Sequence, residues 1–152
     1  MGLDLMIPKL IAFWQKRGII TSPNSLEKIE QVSKKLFLEL PDDFKELYRW
    51  TNGMELLFPN EFDEEGFLFY PIKGLENANM AFGGFQLTTK ENIFIFADYM
   101  HESWWYGCEV LSRENYVIGI IPSEGAFKPI THSLEAFIGL YFEGSPKLYD
   151  YS

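Results

Sequence analysis

The chain has 152 residues, of which 47% are hydrophobic and 23% are charged, a balance typical of a globular protein rather than a disordered one. Its formal net charge of −9 argues against binding to nucleic acids or anionic membranes; such a surface attracts basic partners, but solubility alone is the commoner explanation of an acidic charge. Cys108, the single cysteine, cannot form an internal disulfide, and no stretch resembles a signal peptide or a membrane span, so we expect one cytoplasmic domain over residues 1–152.

The first third of the chain shows the apolar spacing of amphipathic helices. A first helix, which Gly18 is placed to end, is predicted to share one apolar face among Leu5, Leu10, Phe13 and Trp14. In the TSPNS segment that follows, Ser22 is a candidate N-cap and Pro23 suits the first helical position. The second helix is predicted to turn toward the core a stripe that consists of Leu26, Ile29, Ser33 and Leu36.

The stretch LPDDFKELYRWTNGME, residues 40–55, specifies a short helix with marked ends. Pro41 has a preset φ and no N–H, so it suits a helix start, and Asp42 and Asp43 place negative charge at the positive end of the helix dipole. The i, i+3, i+4, i+7 spacing predicts one inward face made of Phe44, Leu47, Tyr48 and Thr51. Asn52 and Gly53 tolerate positive φ and are predicted to end the helix in a sharp turn. Structure alone explains this segment, and no catalytic role is needed.

The rest of the chain is dominated by short aromatic and β-branched runs, which are typical of strands. NIFIFADY, SWWYGCEVL and NYVIGIIP are joined by connections of a few residues, which predicts an antiparallel meander, and GFLFYPI (residues 66–72) is a further candidate. The acidic NEFDEEG (60–66) is interpreted as a solvated loop, and KGLENANMAFGGFQL (73–87) as loop with a helical turn or a weak strand. Ser133 is predicted to cap a last helix whose inward residues are Leu134, Phe137, Ile138 and Tyr141. The expected fold is α+β, with N-terminal helices and a C-terminal helix packed on a mainly antiparallel sheet.

Few residues offer enzymatic chemistry. Asp98, His101 and Glu102 could bind a metal near a turn, but an exposed turn carries such residues for solubility, and the second histidine of a zinc-protease helix is missing. Cys108 lies in a strand pattern, where a small buried thiol is the commoner role. The Gly-Gly pair of AFGGFQL lacks the third glycine and the Lys-Ser/Thr of a phosphate loop. We therefore expect no enzyme activity, no metal and no cofactor.

The adjacent tryptophans Trp104 and Trp105 are not explained by these roles. Side chains alternate along a strand, so only one of the two rings can enter the core beneath a one-sided sheet. The other ring is either covered by a helix or by the chain ends, or exposed as an aromatic anchor beside an acidic turn. On the second alternative, the partner-binding residues are predicted to be Tyr99, His101, Glu102, Trp104, Trp105 and Glu109.

The order of these elements resembles the SUKH superfamily. The resemblance is carried by SLEKIEQVSKKL leading into LPDDFKELYRWTNGM, by the central IFIFADY and WWYGCEVL, and by the closing SLEAFIGLYFEG, and it covers residues 22–143. At the turn between central strands this chain has ADYMHESWWYG, where many members have a turn rich in glycine and aspartate. The resemblance implies a protein-binding module without a shared set of catalytic residues.

Three functions from different classes follow as hypotheses. The first is a bacterial immunity protein that neutralises a cognate toxin, possibly a nuclease, through a basic toxin domain that the acidic surface attracts. The second is a regulator or scaffold of cell-wall glucan synthesis, as the yeast relatives of the superfamily imply. The third is a module that binds a small molecule or carbohydrate and uses the tryptophans as stacking platforms.

Overall fold

A computed structural model describes residues 2–58, 60–79, 91–100, 102–122 and 126–149 of the chain. The helices within these residues are α1 (Leu3–Gln15), α2 (Leu26–Leu36), α3 (Asp42–Trp50) and α4 (Leu134–Glu143). The strands are β1 (Phe67–Phe69), β2 (Glu76–Asn77), β3 (Ile93–Tyr99), β4 (Trp104–Val110), β5 (Tyr116–Pro122) and β6 (Lys128–Thr131). The predicted α+β class is confirmed. The prediction for residues 73–87 lies partly outside the described residues.

The six strands form one antiparallel sheet. Its strand order is β1-β3-β4-β5-β6. Strand β2 also pairs with β3: β1 lies beside the end of β3 at Tyr99, and β2 lies beside the start of β3. Strands β3, β4 and β5 form the predicted meander, with Phe94 opposite Cys108 and Cys108 opposite Ile118. Strand β6 was not predicted, because KPIT is short, contains Pro129 and is only half-buried, which are features of an edge strand rather than a central one.

The core lies between one face of the sheet and the helices, and it consists largely of aromatic rings. Phe67 of β1 stacks on Tyr106 of β4 with ring centroids 5.0 Å apart, and Phe137 of α4 packs edge-on against Tyr106 at 5.5 Å. Helix α1 is fixed to α4 through Trp14, whose Nε1 donates a hydrogen bond of 3.0 Å to the hydroxyl oxygen of Tyr141. Most of the aromatic residues that the structure describes therefore lie in or against this core.

Helix α3 follows the pattern predicted from LPDDFKELYRWTNGME. Its inward residues Phe44, Leu47 and Tyr48 are buried, and Thr51 is buried directly after the last helical residue. Gly53 has a φ of +63°, so the predicted left-handed turn is confirmed there. Asn52, in contrast, has no positive φ.

Asn52 acts instead as a hydrogen-bonding centre after α3. Its Oδ1 accepts a bond of 2.8 Å from the backbone N–H of Ile72, and its Nδ2 donates to Glu55 Oε2 at 2.9 Å. The same Oδ1 accepts a bond of 3.1 Å from Asn24 Nδ2. The end of α3 is thus joined both to the segment before α2 and to the segment after β1.

The second helix begins three residues later than its sequence predicts. Ser25 is the N-cap, and its hydroxyl accepts a hydrogen bond of 3.2 Å from the backbone N–H of Lys28. Ser22 donates its hydroxyl proton to Glu55 Oε1 at 2.8 Å instead. With this start, Leu26 is 50% exposed and does not belong to the buried stripe. The stripe consists of the other three predicted residues, Ile29, Ser33 and Leu36.

The interpretation of the acidic segment 60–66 as a solvated loop is wrong at Asp63. This carboxylate is buried, its Oδ1 accepts hydrogen bonds from the N–H groups of Glu65 and Phe67, and its Oδ2 accepts one from the hydroxyl of Tyr141. Burial, the largest influence, raises the pKa of Asp63 above its ordinary value, although the bonds from Tyr141 and Phe67 act in the opposite direction.

This raised pKa predicts a pH dependence of stability. As the pH rises above 3.8, the ordinary Asp pKa, Asp63 loses its proton in the unfolded chain before it does so in the folded protein. The free energy of unfolding should therefore fall as the pH rises from 3.8 through the raised pKa of Asp63 in the folded protein. Asp63→Asn does not titrate. Urea denaturation of both proteins at several pH values should therefore show the parent losing stability relative to Asp63→Asn as the pH rises. A difference that stays constant, or that grows in favour of the parent, would contradict the prediction.

Candidate functional site

The two tryptophans of β4 are both buried, with exposed fractions of 8% for Trp104 and 9% for Trp105. Trp104 stacks on Tyr99 with centroids 4.7 Å apart and an interplanar angle of 23°, and Trp105 lies opposite Asp98 and Ile121 in the sheet. Of the two alternatives, the covered ring is therefore the one that the structure shows. Neither ring is open to a partner in this conformation.

The remaining predicted site residues are not all brought together. Glu102 is exposed at the turn between β3 and β4, whereas Glu109 is half-buried and pairs with Ile93 near the far end of β4. Glu109 lies five positions after Trp104 in the strand, which is roughly 17 Å at the rise of an extended chain. His101 lies outside the described residues. The exposed part of the predicted site is thus the turn itself.

This β3–β4 turn is held in an unusual backbone conformation. Met100 and Glu102 have φ values of +48° and +64°, in the left-handed region that side chains with a Cβ rarely adopt. The conformation is stabilised by bonds from the N–H of Met100 to the carbonyl of Gly66 at 2.8 Å and from the N–H of Ser103 to the carbonyl of Tyr99 at 2.9 Å. Both Met100 and Glu102 are exposed.

The residues considered for enzymatic chemistry have structural surroundings. Cys108 is buried, and burial raises the pKa of its thiol well above the ordinary value, so the nucleophilic thiolate is disfavoured. Asp98 is buried as well and accepts a hydrogen bond of 2.7 Å from the hydroxyl of Tyr70. Within the described ranges, no three or more His, Cys, Asp or Glu residues are grouped so that they could hold a metal ion.

A second surface is a groove between α1 and α3 with a volume of about 390 Å³. Its apolar floor comes from α1 and consists of Ile7, Pro8, Ile11 and Ala12. Helix α3 supplies Glu46 and Trp50, and Asp4 lies on the α1 side. We call this surface the α1–α3 groove. Both charged side chains that the structure describes along it are acidic.

Trp50 is the large aromatic residue of the groove and is 59% exposed. Its Nε1 donates a hydrogen bond of 2.9 Å to Glu46 Oε1, one helical turn earlier, which restricts the orientation of the ring. The sequence contains a signal for this position, since Trp50 lies outside the inward stripe of α3 that runs through Phe44, Leu47 and Tyr48. An aromatic residue on the polar side of an amphipathic helix is a candidate for binding.

A comparison with family models shows to which protein family the chain is related. Residues 23–139, most of the chain, match the model of the SMI1 / KNR4 family (SUKH-1). The chain belongs to the SUKH-1 family. The predicted membership of the SUKH superfamily is thereby confirmed, and a comparison with curated proteins gives no significant match. Among the helices that the structure describes, none is long and apolar enough to cross a membrane.

Membership of the SUKH-1 family supports, in general terms, a protein-binding domain of the immunity or regulator type. The matched residues include α2, α3 and the whole sheet, and they end within α4. Helix α1 precedes them. The α1–α3 groove is therefore built from one helix of the SUKH-1 domain and one helix outside the matched residues, and it lies beside the exposed Trp50.

Proposed function

We propose that this SUKH-1 protein is an immunity protein that binds a cognate basic toxin domain and blocks it by occupying its surface. The observation that carries the proposal is an exposed aromatic groove with an acidic rim on a domain of a protein-binding family. Aromatic residues in such settings dominate the binding energy of protein interfaces, and complementary charge selects the partner.

Charge provides the first step of the proposed mechanism. The chain has 22 acidic residues against 13 basic ones, which gives an attractive field for a basic protein. At physiological ionic strength this field is screened over about 8 Å, so it speeds the encounter but adds little to the final contacts. Glu102 in the β3–β4 turn and Glu109 at the far end of β4 belong to the steering charges in this proposal.

The tryptophans of β4 have an indirect role in the proposal. Because Trp104 and Trp105 are buried, they do not insert into the partner in this proposal. Trp104 instead packs against Tyr99 at the end of β3, next to the β3–β4 turn. Tyr99, stacked on Trp104, and the exposed Glu102 would form an edge of the interface. Inhibition by binding is stoichiometric, so we propose no turnover, no metal and no cofactor.

The test is co-expression with the toxin domain encoded beside this gene, followed by measurement of binding kinetics. We expect the parent protein to restore growth and to associate faster at low salt than at high salt. Glu102→Gln should slow association at low salt by a factor of about two to ten, and the difference from the parent should shrink at high salt. Dissociation should change little, because exposed charges act mainly on the encounter.

Two outcomes would count against the proposal. A toxin that stays active and unbound in the presence of the parent protein would reject the immunity function. Association that does not depend on salt would reject the steering mechanism. Glu114→Gln is the matched comparison, since Glu114 is exposed in the turn between β4 and β5, at the opposite end of β4 from Glu102. Equal slowing by both variants would assign the steering to the overall charge and not to the β3–β4 turn.

A regulator of cell-wall synthesis is a second candidate, favoured by the match to a family model that carries the names SMI1 and KNR4. This function also requires a protein partner. The protein would then not protect growth during toxin expression, whereas deletion of its gene would change envelope synthesis. The carbohydrate-binding hypothesis is weaker than at first, because the two adjacent tryptophans that were to act as stacking platforms are buried.

A further inference from the structure

We propose that the α1–α3 groove is the docking site for a basic amphipathic helix of the partner protein. The inference rests on the proposed function only in taking a protein as the ligand. It adds the surface of this chain that is used, the secondary structure of the bound segment and the kind of residues that the segment must carry.

The shape of the groove suits a helix. Its floor follows the apolar side of α1, from Ile7 through Pro8 to Ile11 and Ala12, and α3 forms the opposite wall. Helix α1 has 13 residues and is thus about 20 Å long, which matches three to four turns of a bound helix. Amphipathic helices bind such grooves through apolar side chains spaced three and four residues apart.

The polar rim selects a basic ligand. Glu46 and the indole of Trp50 lie side by side, joined by their hydrogen bond of 2.9 Å. An arginine can stack on the exposed indole face and at the same time form an ion pair with the adjacent carboxylate. Asp4 supplies a second carboxylate on the α1 side of the groove, and no lysine or arginine lines the part that the structure describes. Apolar residues flanked by arginines therefore fit this surface.

The opposite flank of α1 is lined by basic residues, which favours the α1–α3 groove as the site for a basic ligand. A concave surface there is lined by Lys9, Lys16 and Arg17 together with Phe13 and Phe142. Arg17 stacks on Phe13 with its guanidinium carbon 3.6 Å from the ring centroid. Helix α1 thus lies between the acidic groove and a flank with three cations, with Ala12 at the border of both. Arg17 on that flank is paired with Glu64 at 2.8 Å, so Lys9 and Lys16 are the charges that disfavour a basic segment there.

A second copy of this chain is the less favoured occupant. Its basic flank could approach the acidic groove, but each copy carries a net charge of −9, so two copies repel each other before contact. A basic partner gains from the same field. The occupant of the groove is therefore assigned to another protein.

The test uses a synthetic helical peptide of about 15 residues with one leucine face and arginines on both flanks, long enough to fill the groove. Trp50 reports binding directly, since it is 59% exposed whereas Trp14, Trp104 and Trp105 are 0%, 8% and 9% exposed. Acrylamide should quench mainly Trp50 in the free protein. We expect saturable binding of the peptide that reduces this quenching, and no binding of a peptide with glutamates in place of the arginines.

The variants separate the groove from the rest of the surface. Trp50→Ala should weaken binding of the labelled peptide, measured by anisotropy, by about tenfold or more, since it removes the exposed aromatic anchor. Ala12→Arg should have a similar effect, because it places a bulky cation in the groove that repels the arginines of the peptide, and arginine is a good helix former at this exposed position. Phe37→Ala is the matched control: Phe37 is 77% exposed but lies at the end of α2, and its loss should change the affinity by less than about twofold.

Several results would overturn the inference. These are no saturable binding of the basic peptide up to about 1 mM, equal affinity of the parent and the folded Trp50→Ala protein, or a dimer of the parent that Trp50→Ala dissociates. The outcome is independent of the immunity assay. If the parent neutralises the toxin and the groove variants neutralise it equally well, the groove fails and the proposed function stands. If the peptide binds in the groove while no toxin is neutralised, the function fails and the groove stands.

Discussion

Gly53→Val should destabilise the protein by about 2 to 5 kcal/mol, because it combines backbone strain with a collision that the side chain cannot avoid. The φ of Gly53 is +63°, a conformation that is especially unfavourable for a β-branched residue. A Cβ at this position would lie 2.5 Å from the carbonyl oxygen of Tyr70 and 2.8 Å from that of Phe69. Both neighbours are backbone atoms, and the carbonyl of Phe69 accepts a hydrogen bond from Met54, so neither can move freely.

A pair of alanine variants separates the two contributions. Gly144→Ala introduces the same Cβ at a φ of +61° with no heavy atom within 4 Å, so it measures the strain of the left-handed conformation alone, about 1 kcal/mol. Gly53→Ala should lower the unfolding free energy by clearly more than this in chemical denaturation. Equal effects of the two substitutions would show that the chain around Gly53 adapts at no cost, and the tight turn after α3 would lose its proposed importance.

The elements that the sequence predicts well are those whose signals are local. In α3, Pro41 and the two aspartates mark the start, the stripe through Phe44 sets the inward face, and Gly53 ends the turn. In α4, the cap at Ser133 is where the sequence predicts it. Each of these features depends on atoms within a few residues, so propensity and spacing are sufficient.

The features that the sequence does not predict depend on contacts between distant segments. Asp63 is found in an acidic run that has the composition of a solvated loop, but the hydroxyl of Tyr141, 78 positions later, makes its burial possible. Ser22 has the local features of an N-cap, but its hydroxyl is used by Glu55. In both cases a tertiary hydrogen bond overrides a local preference.

The candidate site was only partly predictable for the same reason. Alternation along β4 shows that Trp104 and Trp105 face opposite sides of the sheet, but not that both sides are covered at these positions. The exposure of Trp50 follows from its place outside the stripe of α3, whereas the groove beside it exists only because α1 packs nearby. A composition rich in aromatic residues therefore predicts an exposed ring somewhere on the surface, and the packing of helices decides which one.

Tyr141→Phe should lower the unfolding free energy by about 2 to 4 kcal/mol, because one hydroxyl serves two other buried groups. Its oxygen accepts the hydrogen bond from Trp14 Nε1 and its proton is donated to Asp63 Oδ2, so phenylalanine leaves a buried indole N–H and a buried carboxylate oxygen without these partners. The ring contacts, such as the centroid distance of 4.9 Å to Phe69, remain available to phenylalanine. The loss is therefore one of hydrogen bonding and not of packing, in contrast to a truncation to alanine.

Tyr149→Phe is the matched control, since its ring also packs against Phe67, with centroids 6.0 Å apart, and it should change the stability by less than about 0.5 kcal/mol. The pH dependence then identifies the cause. The hydrogen bond from Tyr141 lowers the pKa of Asp63, so Tyr141→Phe should raise that already elevated pKa further and make the ionised carboxylate more costly to bury. Acidification protonates this carboxylate, so the penalty of Tyr141→Phe relative to the parent should shrink as the pH falls toward the ordinary Asp pKa of 3.8. A penalty that is the same at acidic and neutral pH would place the loss at Trp14 alone, and a penalty no larger than that of Tyr149→Phe would mean that the buried network does not stabilise the fold.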